Sequence, residues 1–300
     1  MVGRKQITTL SDGLRVLAPA KINLSLLIAG KRPDGFHEIE TIMAKVDLFD
    51  EVLIQPGQKP GIELLCKGPC WAPHGEENLA YRACDMLLKK CRSQADLKIT
   101  LTKNIPAGSG LGSASSDAAA ILLGVNKYLG FDLPKPQLAE LAPSLGSDVA
   151  FFLGGPLAFC TGKGEKIKKL TENFNFSASL LLPTVSVSTK KVYANYNHNP
   201  TIYQNLSAQI NQHLAENRID LVSKMCANML QTSCFSLYKE LFDLKARVES
   251  LGIAPLCLSG SGSAMFCIIG SPEYKRVREN KHKLLEKTGC ESIIVSNNGW

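Results

Sequence analysis

The chain has 300 residues, 45% of them hydrophobic, which is the composition of an ordinary globular protein with one large domain or two smaller ones. Lys and Arg number 34 against 27 Asp and Glu, and the net charge of +7 favours anionic ligands. The basic residues are scattered apart from 163–169, so the charge does not imply a nucleic-acid partner. No apolar run approaches the roughly 18 residues that span a bilayer, and residues 1–13 lack a signal-peptide core, which predicts a cytoplasmic protein without a membrane partner.

The first predicted elements are two strands, 14–18 and 22–28, joined through Pro19-Ala20-Lys21. Apolar and polar residues alternate in the second strand, which predicts one buried face and one polar face. The predicted buried face holds Ile22, Leu24, Leu26 and Ile28, and the predicted polar face holds Lys21, Asn23 and Ser25. A turn at 30–35, strands at 38–46 and 51–55 and a helix at 77–92 follow.

A strand, a glycine-rich loop and a helix lie in succession between residues 97 and 130. Leu97, Ile99 and Leu101 alternate with polar residues, and apolar residues recur at helical spacing from Ala114 until Gly130. The loop between them contains Gly108, Gly110 and Gly112 and borders on four serines. Glycine allows close approach of backbone N–H groups, and a helix start adds unpaired donors, so the stretch predicts a phosphate site.

Two observations leave other interpretations of this loop open. The P-loop pattern is absent, and the dinucleotide pattern G-x-G-x-x-G fails because Ser113 occupies the place of its third glycine. The loop is therefore a phosphate site of another kind or an ordinary strand–turn–helix with flexible glycines.

The remaining pattern predicts an α+β protein with an open-faced sheet in each half. A short helix at 137–142, a further helix turn starting at Ser147 or Asp148, and a strand at 157–160 complete the first half. The Gly/Lys stretch at 162–169 predicts a boundary between a domain of residues 1–165 and one of residues 166–300. In the second half the predicted elements are a strand at 178–188 interrupted at Pro183, helices at 217–230, 236–251 and 272–287, apolar runs flanking 259–263, and a strand at 290–296.

The ten cysteines do not predict a disulfide framework, because the chain is long and shows no export signal. Most of them lie among apolar neighbours, which predicts small buried side chains at Cys84, Cys226, Cys257 and Cys267. Cys66 and Cys70 lack a second pair of ligands, so the spacing indicates neither a zinc site nor another structural metal.

Four segments together resemble the hallmark motifs of the GHMP kinases, a family named for galacto-, homoserine, mevalonate and phosphomevalonate kinases. They are PAKINL at 19–24, the loop at 106–117, Gly146-Ser147-Asp148 and LSGSGSA at 258–264. The resemblance extends from about residue 15 to residue 270. It implies a two-domain α+β fold, the first domain like ribosomal protein S5 domain 2 and the second ferredoxin-like. It also implies ATP as phosphoryl donor, with Mg²⁺ expected beside the nucleotide.

The segment Asp34-Gly35-Phe36-His37 resembles the branch of this family that acts on a cytidine diphosphate-linked methylerythritol. This implies transfer of the ATP γ-phosphoryl group to the methylerythritol hydroxyl, giving the 2-phosphate and ADP, in non-mevalonate isoprenoid biosynthesis. Two alternatives remain: another acceptor (mevalonate, homoserine or a sugar), or a non-catalytic GHMP-like regulator. Ser113-Ala114 stand where many relatives carry glycines. This departure weakens the assignment of the acceptor and leaves the predicted phosphate site intact. No protein partner is implied.

By this resemblance Lys21 and Asp148 are the catalytic residues. A carboxylate near the acceptor hydroxyl can take its proton, and an ammonium group can orient that carboxylate and stabilise the transferring phosphoryl group. From the local sequence alone, Asp148 is equally a helix N-cap, and a lysine on the polar face of a strand is usually solvated.

The resemblance also assigns the binding residues. For ATP they are Pro106, Ala107, Gly108, Ser109, Gly110, Leu111, Gly112, Ser113, Ala114, Ser115 and Ser116. For the acceptor they are Asn23, Phe36, His37, Thr189, Tyr193, Ser259, Gly260, Ser261 and Gly262. Tyr193 is expected to stack on the cytosine, with core packing as the alternative, and Ser259–Gly262 is alternatively a plain glycine turn. The Mg²⁺ ligands are left open, with Ser116 as a possible one, and Asp117 is expected to point away from the nucleotide or to help hold the metal.

Overall fold

The computed structural model describes residues 5–170, 174–270, 275, 277–278 and 281–300. Two sheets organise this part of the chain, one of seven strands and one of four, with helices packed against them. The mixture of helices and strands confirms the predicted α+β class.

The first sheet has the order β1-β2-β3-β5-β4, and β6 pairs with β3 on one side and β7 on the other. Neighbouring strands are antiparallel except for β4 and β5, which are parallel. Its strands are β1 (Ile7–Thr9), β2 (Leu14–Lys31), β3 (His37–Pro56), β4 (Ile62–Lys67), β5 (Leu97–Thr102), β6 (Leu157–Gly162) and β7 (Lys166–Lys169).

The strands β2 and β3 are each longer than the sequence predicts. The predicted pairs 14–18 with 22–28, and 38–46 with 51–55, are single strands of 18 and 20 residues. The register of β2 on β3 shifts at Pro19/Ala20, Asn23/Ser25 and Ile28/Gly30. Bulges of this kind accommodate a proline without ending the strand, which is why the apparent break at Pro19 was a wrong prediction.

The bulge at Asn23/Ser25 also changes which residues share a face of β2. Ile22 and Leu24 pack in one apolar cluster together with Leu27, while Leu26 and Ile28 pack in another. The predicted single row of four apolar residues is therefore wrong beyond Leu24, since an inserted residue reverses the alternation of side chains.

The helices of the first half cover one face of its sheet. They are α1 (Leu79–Lys90), α2 (Ser113–Tyr128), α3 (Lys135–Ala139), α4 (Ala142–Leu145) and α5 (Val149–Leu153). Asn78 caps α1 by accepting a hydrogen bond from the Ala80 N–H. The predicted helices at 77–92 and after the glycine loop are confirmed. The predicted helix 137–142 is wrong, because the chain forms the two short helices α3 and α4, the second with Pro143 in its first turn.

The second half forms the four-stranded sheet, in the order β11-β8-β10-β9. Its strands and helices follow a β-α-β-β-α-β succession, the pattern of ferredoxin-like domains. They are β8 (Ser177–Leu182), α6 (Thr189–Ala194), α7 (Pro200–Ala215), α8 (Ile219–Met225), α9 (Gln231–Leu237), α10 (Lys239–Ser250), β9 (Cys257–Leu258), β10 (Met265–Ile269), α11 (Lys281–Thr288) and β11 (Glu291–Ser296).

Several predicted elements of this half change. The predicted strand 178–188 ends at Leu182, before Pro183, and the predicted helix 217–230 ends at Met225, because Cys226 adopts a left-handed conformation. Helices α6 and α7 were not predicted. The predicted helix 272–287 falls partly outside the described residues, and α11 covers its end.

Two further features bear on the organisation of the chain. Strand β7 pairs with β6, so the first sheet continues past residue 165 and the change of sheet falls between Lys169 and Ser177. Division into domains at residue 165 therefore stays a prediction. Among the residues that the structure describes, no helix combines the length and apolar character needed to cross a bilayer.

The cysteines differ from the prediction at one pair. Cys226 and Cys257 form a disulfide, with their Cα atoms 5.1 Å apart, although both were predicted as separate core residues. Their 31-residue separation gave no signal in the sequence. Cys84 and Cys267 are buried, as predicted.

Candidate active site

The glycine-rich loop between β5 and α2 depends on backbone conformations that favour glycine. Gly108, Gly110 and Gly112 have φ angles of +66°, +78° and +74°, in the left-handed region. Space imposes a second requirement at Gly110, because a Cβ there would lie 2.1 Å from the Ser259 carbonyl oxygen. Gly112 is the N-cap residue of the 16-residue helix α2, so the loop ends at the unpaired N–H groups of a helix start.

The loop is held against the long strand β2 and the glycine-rich turn of the second half. The Lys21 N–H donates to the Leu111 carbonyl oxygen at 2.9 Å. On the other side, the Ser259 hydroxyl donates to the Gly110 carbonyl oxygen at 3.0 Å, and the Ala264 N–H donates to the Ser109 carbonyl oxygen at 2.9 Å. The predicted nucleotide loop therefore lies between the segments PAKINL and LSGSGSA.

Lys21 and Asp148 lie together beside this loop. The Lys21 ammonium is 3.8 Å from the Asp148 carboxylate and donates a hydrogen bond of 2.5 Å to the Asn23 side-chain oxygen. Asn23 in turn donates to the Thr41 hydroxyl at 2.8 Å. Asp148 occupies the N-cap position of α5, yet its side chain makes no capping hydrogen bond. Its carboxylate is therefore available to Lys21, and the N-cap interpretation does not account for it.

The environment of Lys21 differs from the predicted half-solvated strand face. Lys21, Asn23 and Ser25 are all buried, because residues of the loop and of α5 cover β2: a Cβ at Gly112 would touch the Phe152 ring and the Lys21 side chain. Burial lowers the pKa of Lys21, and the Asp148 carboxylate opposes this effect. Asp148 is more open, with 29% of its side chain exposed, so a ligand can reach it.

The Asp148 charge also affects the pKa of two neighbouring groups, Cys160 and Tyr193. Burial together with the nearby Asp148 charge raises the pKa of the Cys160 thiol to about 12. The same two causes raise the pKa of the Tyr193 hydroxyl. Both the Cys160 thiol and the Tyr193 hydroxyl are therefore protonated at neutral pH.

The turn from Ser259 to Gly262 contacts residues of three other predicted site segments. A Cβ at Gly260 would lie 3.4 Å from the Asn23 side-chain oxygen, and the Ser261 and Thr189 hydroxyls are 2.8 Å apart. Asn228 donates from its amide to the carbonyl oxygens of Leu258 and Gly260 at 2.9 and 2.8 Å. The structure thus brings Ser259, Gly260, Ser261 and Thr189 to the same place as Lys21 and Asp148. Asn228 was missed because it lies in an irregular segment without a sequence motif.

Aromatic side chains from the β2–β3 turn and from the end of α6 lie close together. The His37 ring lies 5.2 Å from the Tyr193 ring and 5.9 Å from the Tyr196 ring, between centroids. Burial and the charges of Lys31 and His198 lower the pKa of His37, which favours the neutral imidazole. Phe36 is 59% exposed. A neutral imidazole beside two phenol rings can offer one donor, one acceptor and flat apolar faces to a heterocycle.

A buried charge cluster beneath the nucleotide loop was not predicted. The Lys103 ammonium contacts the carboxylates of Asp50 and Asp117 and the Ser113 hydroxyl, and all four side chains are buried. Asp50 also accepts hydrogen bonds from the N–H groups of Asn104 and Ile105. The cluster therefore joins the end of β5 to the start of α2 and fixes both ends of the loop.

This cluster decides where two predicted residues point. The Asp117 carboxylate turns toward Lys103 at 2.5 Å; burial raises its pKa, and the Lys103 ammonium opposes this effect. The Ser113 hydroxyl donates to Asp50, so Ser113 faces the cluster with its side chain. A lone lysine directly after an apolar strand, at Lys103, was the only local signal in the sequence.

A candidate magnesium ligand lies one residue before Asp117. The Ser116 hydroxyl, in the first turn of α2, is buried and has no hydrogen-bond partner among the described residues. A hydroxyl left unpaired at the start of a helix that is predicted to bind phosphate fits the oxygen ligands that Mg²⁺ prefers. In the described part of the chain, no group of three or more His, Cys, Asp or Glu side chains could hold a metal, so phosphate oxygens would have to complete such a site.

Two family models match the chain, the GHMP kinases N terminal domain over residues 78–156 and the GHMP kinases C terminal domain over residues 210–283. A 4-diphosphocytidyl-2-C-methyl-D-erythritol kinase from Bacillus pumilus is 35% identical over 258 residues, which cover 85% of this chain and 89% of that protein. The chain belongs to the 4-diphosphocytidyl-2-C-methyl-D-erythritol kinase family of GHMP kinases. Membership makes it an ATP-dependent kinase of a small-molecule substrate.

Solved structures agree with this family. The chain is similar to the crystal structure of a 4-(cytidine 5'-diphospho)-2C-methyl-D-erythritol kinase, with a TM-score of 0.75, 31% identity, and coverage of 95% of this chain and 100% of that one. A homoserine kinase from Cytophaga hutchinsonii matches with a TM-score of 0.74 at 21% identity, over 99% of this chain and 98% of that chain, which shows the shared GHMP kinase fold alone.

Proposed function

We propose that this GHMP kinase transfers the γ-phosphoryl group of ATP to the methylerythritol hydroxyl of 4-diphosphocytidyl-2-C-methyl-D-erythritol, giving the 2-phosphate and ADP. The observation that carries the proposal is the Lys21–Asp148 pair, 3.8 Å apart beside the glycine-rich loop. The relatives' names and the DGFH segment at 34–37 support the choice of acceptor.

The acceptor hydroxyl is activated by Asp148. As its oxygen attacks the γ-phosphorus, the O–H proton passes to the Asp148 carboxylate, a new P–O bond forms, and the bond from phosphorus to the leaving ADP oxygen breaks. A positioned general base of this kind contributes about 10²–10⁴-fold in rate. The 29% exposure of the Asp148 side chain supports contact with a substrate.

Lys21 holds the base in place and offsets negative charge. Its ammonium is fixed between Asp148 and Asn23, so little rearrangement is needed when charge spreads over the phosphoryl oxygens. Burial of Lys21 strengthens this electrostatic effect, because the surrounding dielectric is lower than that of water.

The loop from Pro106 to Ser116 is the proposed cradle for the ATP phosphates, which the N–H groups around Gly108, Gly110 and Gly112 and the start of α2 would contact. Mg²⁺ would be held by the Ser116 hydroxyl together with the phosphates. When bound, Mg²⁺ would neutralise charge on the β- and γ-phosphate oxygens.

The cytidine end of the acceptor is assigned to the aromatic residues of the β2–β3 turn and of α6. His37 would hydrogen-bond the edge of the base, while Tyr193 and Phe36 would contact its faces. Thr189 and the turn Ser259–Gly262 would line the path from this pocket to Lys21.

A substrate panel tests the proposal. The purified chain is incubated with ATP and Mg²⁺, and ADP release is measured with 4-diphosphocytidyl-2-C-methyl-D-erythritol, mevalonate, homoserine or galactose as acceptor. We expect rapid ADP release only with the cytidine compound. Turnover of mevalonate, homoserine or the sugar in its place would contradict the assignment of the acceptor, and ATP binding without turnover of any acceptor would contradict the kinase mechanism.

A further inference from the structure

Among the strands that the structure describes, β4 lies at an edge of the seven-stranded sheet and pairs with β5 alone. The Leu97 N–H donates to the Gly61 carbonyl oxygen, and the Lys103 N–H donates to the Lys67 carbonyl oxygen. In a parallel ladder, alternate residues of a strand bond to the same neighbour. The odd-numbered residues of β4 therefore face β5, and the N–H and C=O groups of Ile62, Leu64 and Cys66 point away from it.

The outer edge of β4 is open because both flanking loops return toward β5. Before the strand, the N–H groups of Gly57 and Gly61 donate to Asp96, at the start of β5. After it, the Cys70 N–H donates to the Lys103 carbonyl oxygen, at the end of β5. Within the described residues, no backbone hydrogen bond reaches the outer side of residues 62–66. Such an edge is a template for another strand.

The exposed side chains of β4 carry a self-complementary pattern. Glu63, Leu65 and Lys67 are exposed on one face, with Leu65 at 50% exposure. Glu63 lies in register with Lys98 on β5, yet neither Glu63 nor Lys67 forms an ion pair within the described structure. Glu63 precedes Leu65 by two residues and Lys67 follows it by two, so a two-fold axis through Leu65 would bring the negative charge of each strand opposite the positive charge of the other.

We propose that two copies of this chain associate by antiparallel pairing of their β4 strands about a two-fold axis at Leu65. Leu65 then lies opposite Leu65 of the partner subunit. Glu63 lies opposite Lys67 of the partner subunit, and the symmetric pair repeats at the other end. Leu64 and Cys66 exchange backbone hydrogen bonds with Cys66 and Leu64 of the partner subunit, so the two seven-stranded sheets become one.

Charge selects this register over its neighbours. An axis at Glu63 would place the two Glu63 carboxylates opposite each other, and like charges directly across a strand pair are unfavourable. An axis at Leu64 would set Glu63 opposite Leu65 of the partner subunit and leave Lys67 without a partner charge. The pairing at Leu65 satisfies the edge backbone groups and both charges together. The six residues of β4 in each chain bury less than the roughly 1,600 Å² of a standard interface. The dimer is therefore weak, and its population rises with protein concentration.

Sedimentation velocity over a micromolar-to-millimolar concentration series tests the pairing through charge exchange. We expect wild type to dimerise with rising concentration, Glu63→Lys and Lys67→Glu each to stay monomeric alone, and an equimolar mixture of the two to associate, since each then supplies the charges that the other lacks. The double variant E63K/K67E should dimerise again. Glu51→Lys, on the same sheet face but away from the edge, is the matched control and should behave as wild type.

The proposal is overturned if wild type stays monomeric throughout, if both single variants dimerise as wild type does, or if mixing them has no effect. A cross-link provides a second measurement. In a Cys66→Ser, Cys70→Ser background, Leu65→Cys should form a covalent dimer under mild oxidation, because directly opposed residues of a non-hydrogen-bonded pair lie about 4.5 Å apart between Cα atoms, within disulfide range. Leu53→Cys, in the same row on β3, should stay monomeric, and equal cross-linking of the two would contradict the pairing.

Discussion

Four charged side chains in the candidate site and beneath its loop are buried. Lys21, Lys103, Asp50 and Asp117 all lie under 5% exposed, and each has a charged partner nearby. Isolated burial of a charge is costly, so such groups persist only where pairing and hydrogen bonds compensate. Lys21 lies beside Asp148, the proposed base, whereas Lys103 lies in the charge cluster that holds the glycine-rich loop. Substitution of Lys21 and of Lys103 should therefore have different effects.

At Lys21 the expected effect concerns pH. Burial lowers the pKa of this lysine, so its ammonium loses its proton at a lower pH than an ordinary lysine with a pKa of 10.5. Because catalysis needs the charged form, wild-type kcat/KM should fall on the alkaline side below pH 10.5. Lys21→Arg retains the charge, and its lower activity should stay level over the same pH range. Lys127→Arg, exposed on α2, should keep the wild-type profile, and a K21R profile with the same alkaline fall would contradict the assignment.

At Lys103 the expected effect concerns stability. Lys103→Met leaves the Asp50 and Asp117 carboxylates buried without their cation, and removal of one partner from a buried ion pair costs about 3–5 kcal/mol. The free energy of unfolding, measured by urea denaturation at pH 7, should fall by that amount. Lys90→Met breaks the surface pair with Glu140 and should cost less than about 1 kcal/mol. Equal losses from the two substitutions would show that the cluster does not stabilise the loop.

Among the elements, the irregular segment after α8 links the two sheets. The Leu26 N–H donates to the Ala227 carbonyl oxygen, the Met229 N–H donates back to Leu26, and Asn228 holds the turn that follows β9. The disulfide from Cys226 to Cys257 fixes the start of this segment to β9. One short stretch thereby connects β2, which carries the proposed catalytic residue Lys21, to the turn at 259–262.

Loss of the disulfide should lower stability through the unfolded state. A bridge closing a 31-residue loop restricts the unfolded chain, and the loop-entropy relation gives about 3–4 kcal/mol. Cys226→Ser should lower the free energy of unfolding by up to that amount, and wild type in excess reductant should behave in the same way. Serine is similar to cysteine in size, so the substitution should add no backbone strain at this left-handed position. Reductant that leaves the urea midpoint of wild type unchanged would contradict a stabilising bridge.

The elements also show which structure can be predicted from the sequence. Strand β5, the glycine loop and helix α2 were predicted because their periodicity and their glycines are local signals. Helix α7 was missed because only Ile210 in it is fully buried, so it lacks a wide apolar stripe. The bulges of β2, the Asp50–Lys103 pair across 53 residues and the disulfide depend on contacts between distant segments, which periodicity does not report.

At the scale of the whole molecule, segments from both halves meet at the candidate site. β2 supplies Lys21, the start of α5 supplies Asp148, and the turn after β9 packs on the nucleotide loop through Ser259. The motifs predicted that these segments belong to one kind of enzyme, while the backbone links between them, such as Lys21 to Leu111, became evident only from the fold.

The most direct test of this account is single-residue replacement of the proposed base with ATP binding measured alongside turnover. For Asp148→Asn, we expect kcat with 4-diphosphocytidyl-2-C-methyl-D-erythritol to fall by about 10²–10⁴-fold, while the dissociation constant of an ATP analogue by calorimetry stays near that of wild type. Asp243→Asn, exposed on α10, is the matched control and should keep full activity. An Asp148→Asn enzyme that binds ATP and turns over at the wild-type rate would contradict the account.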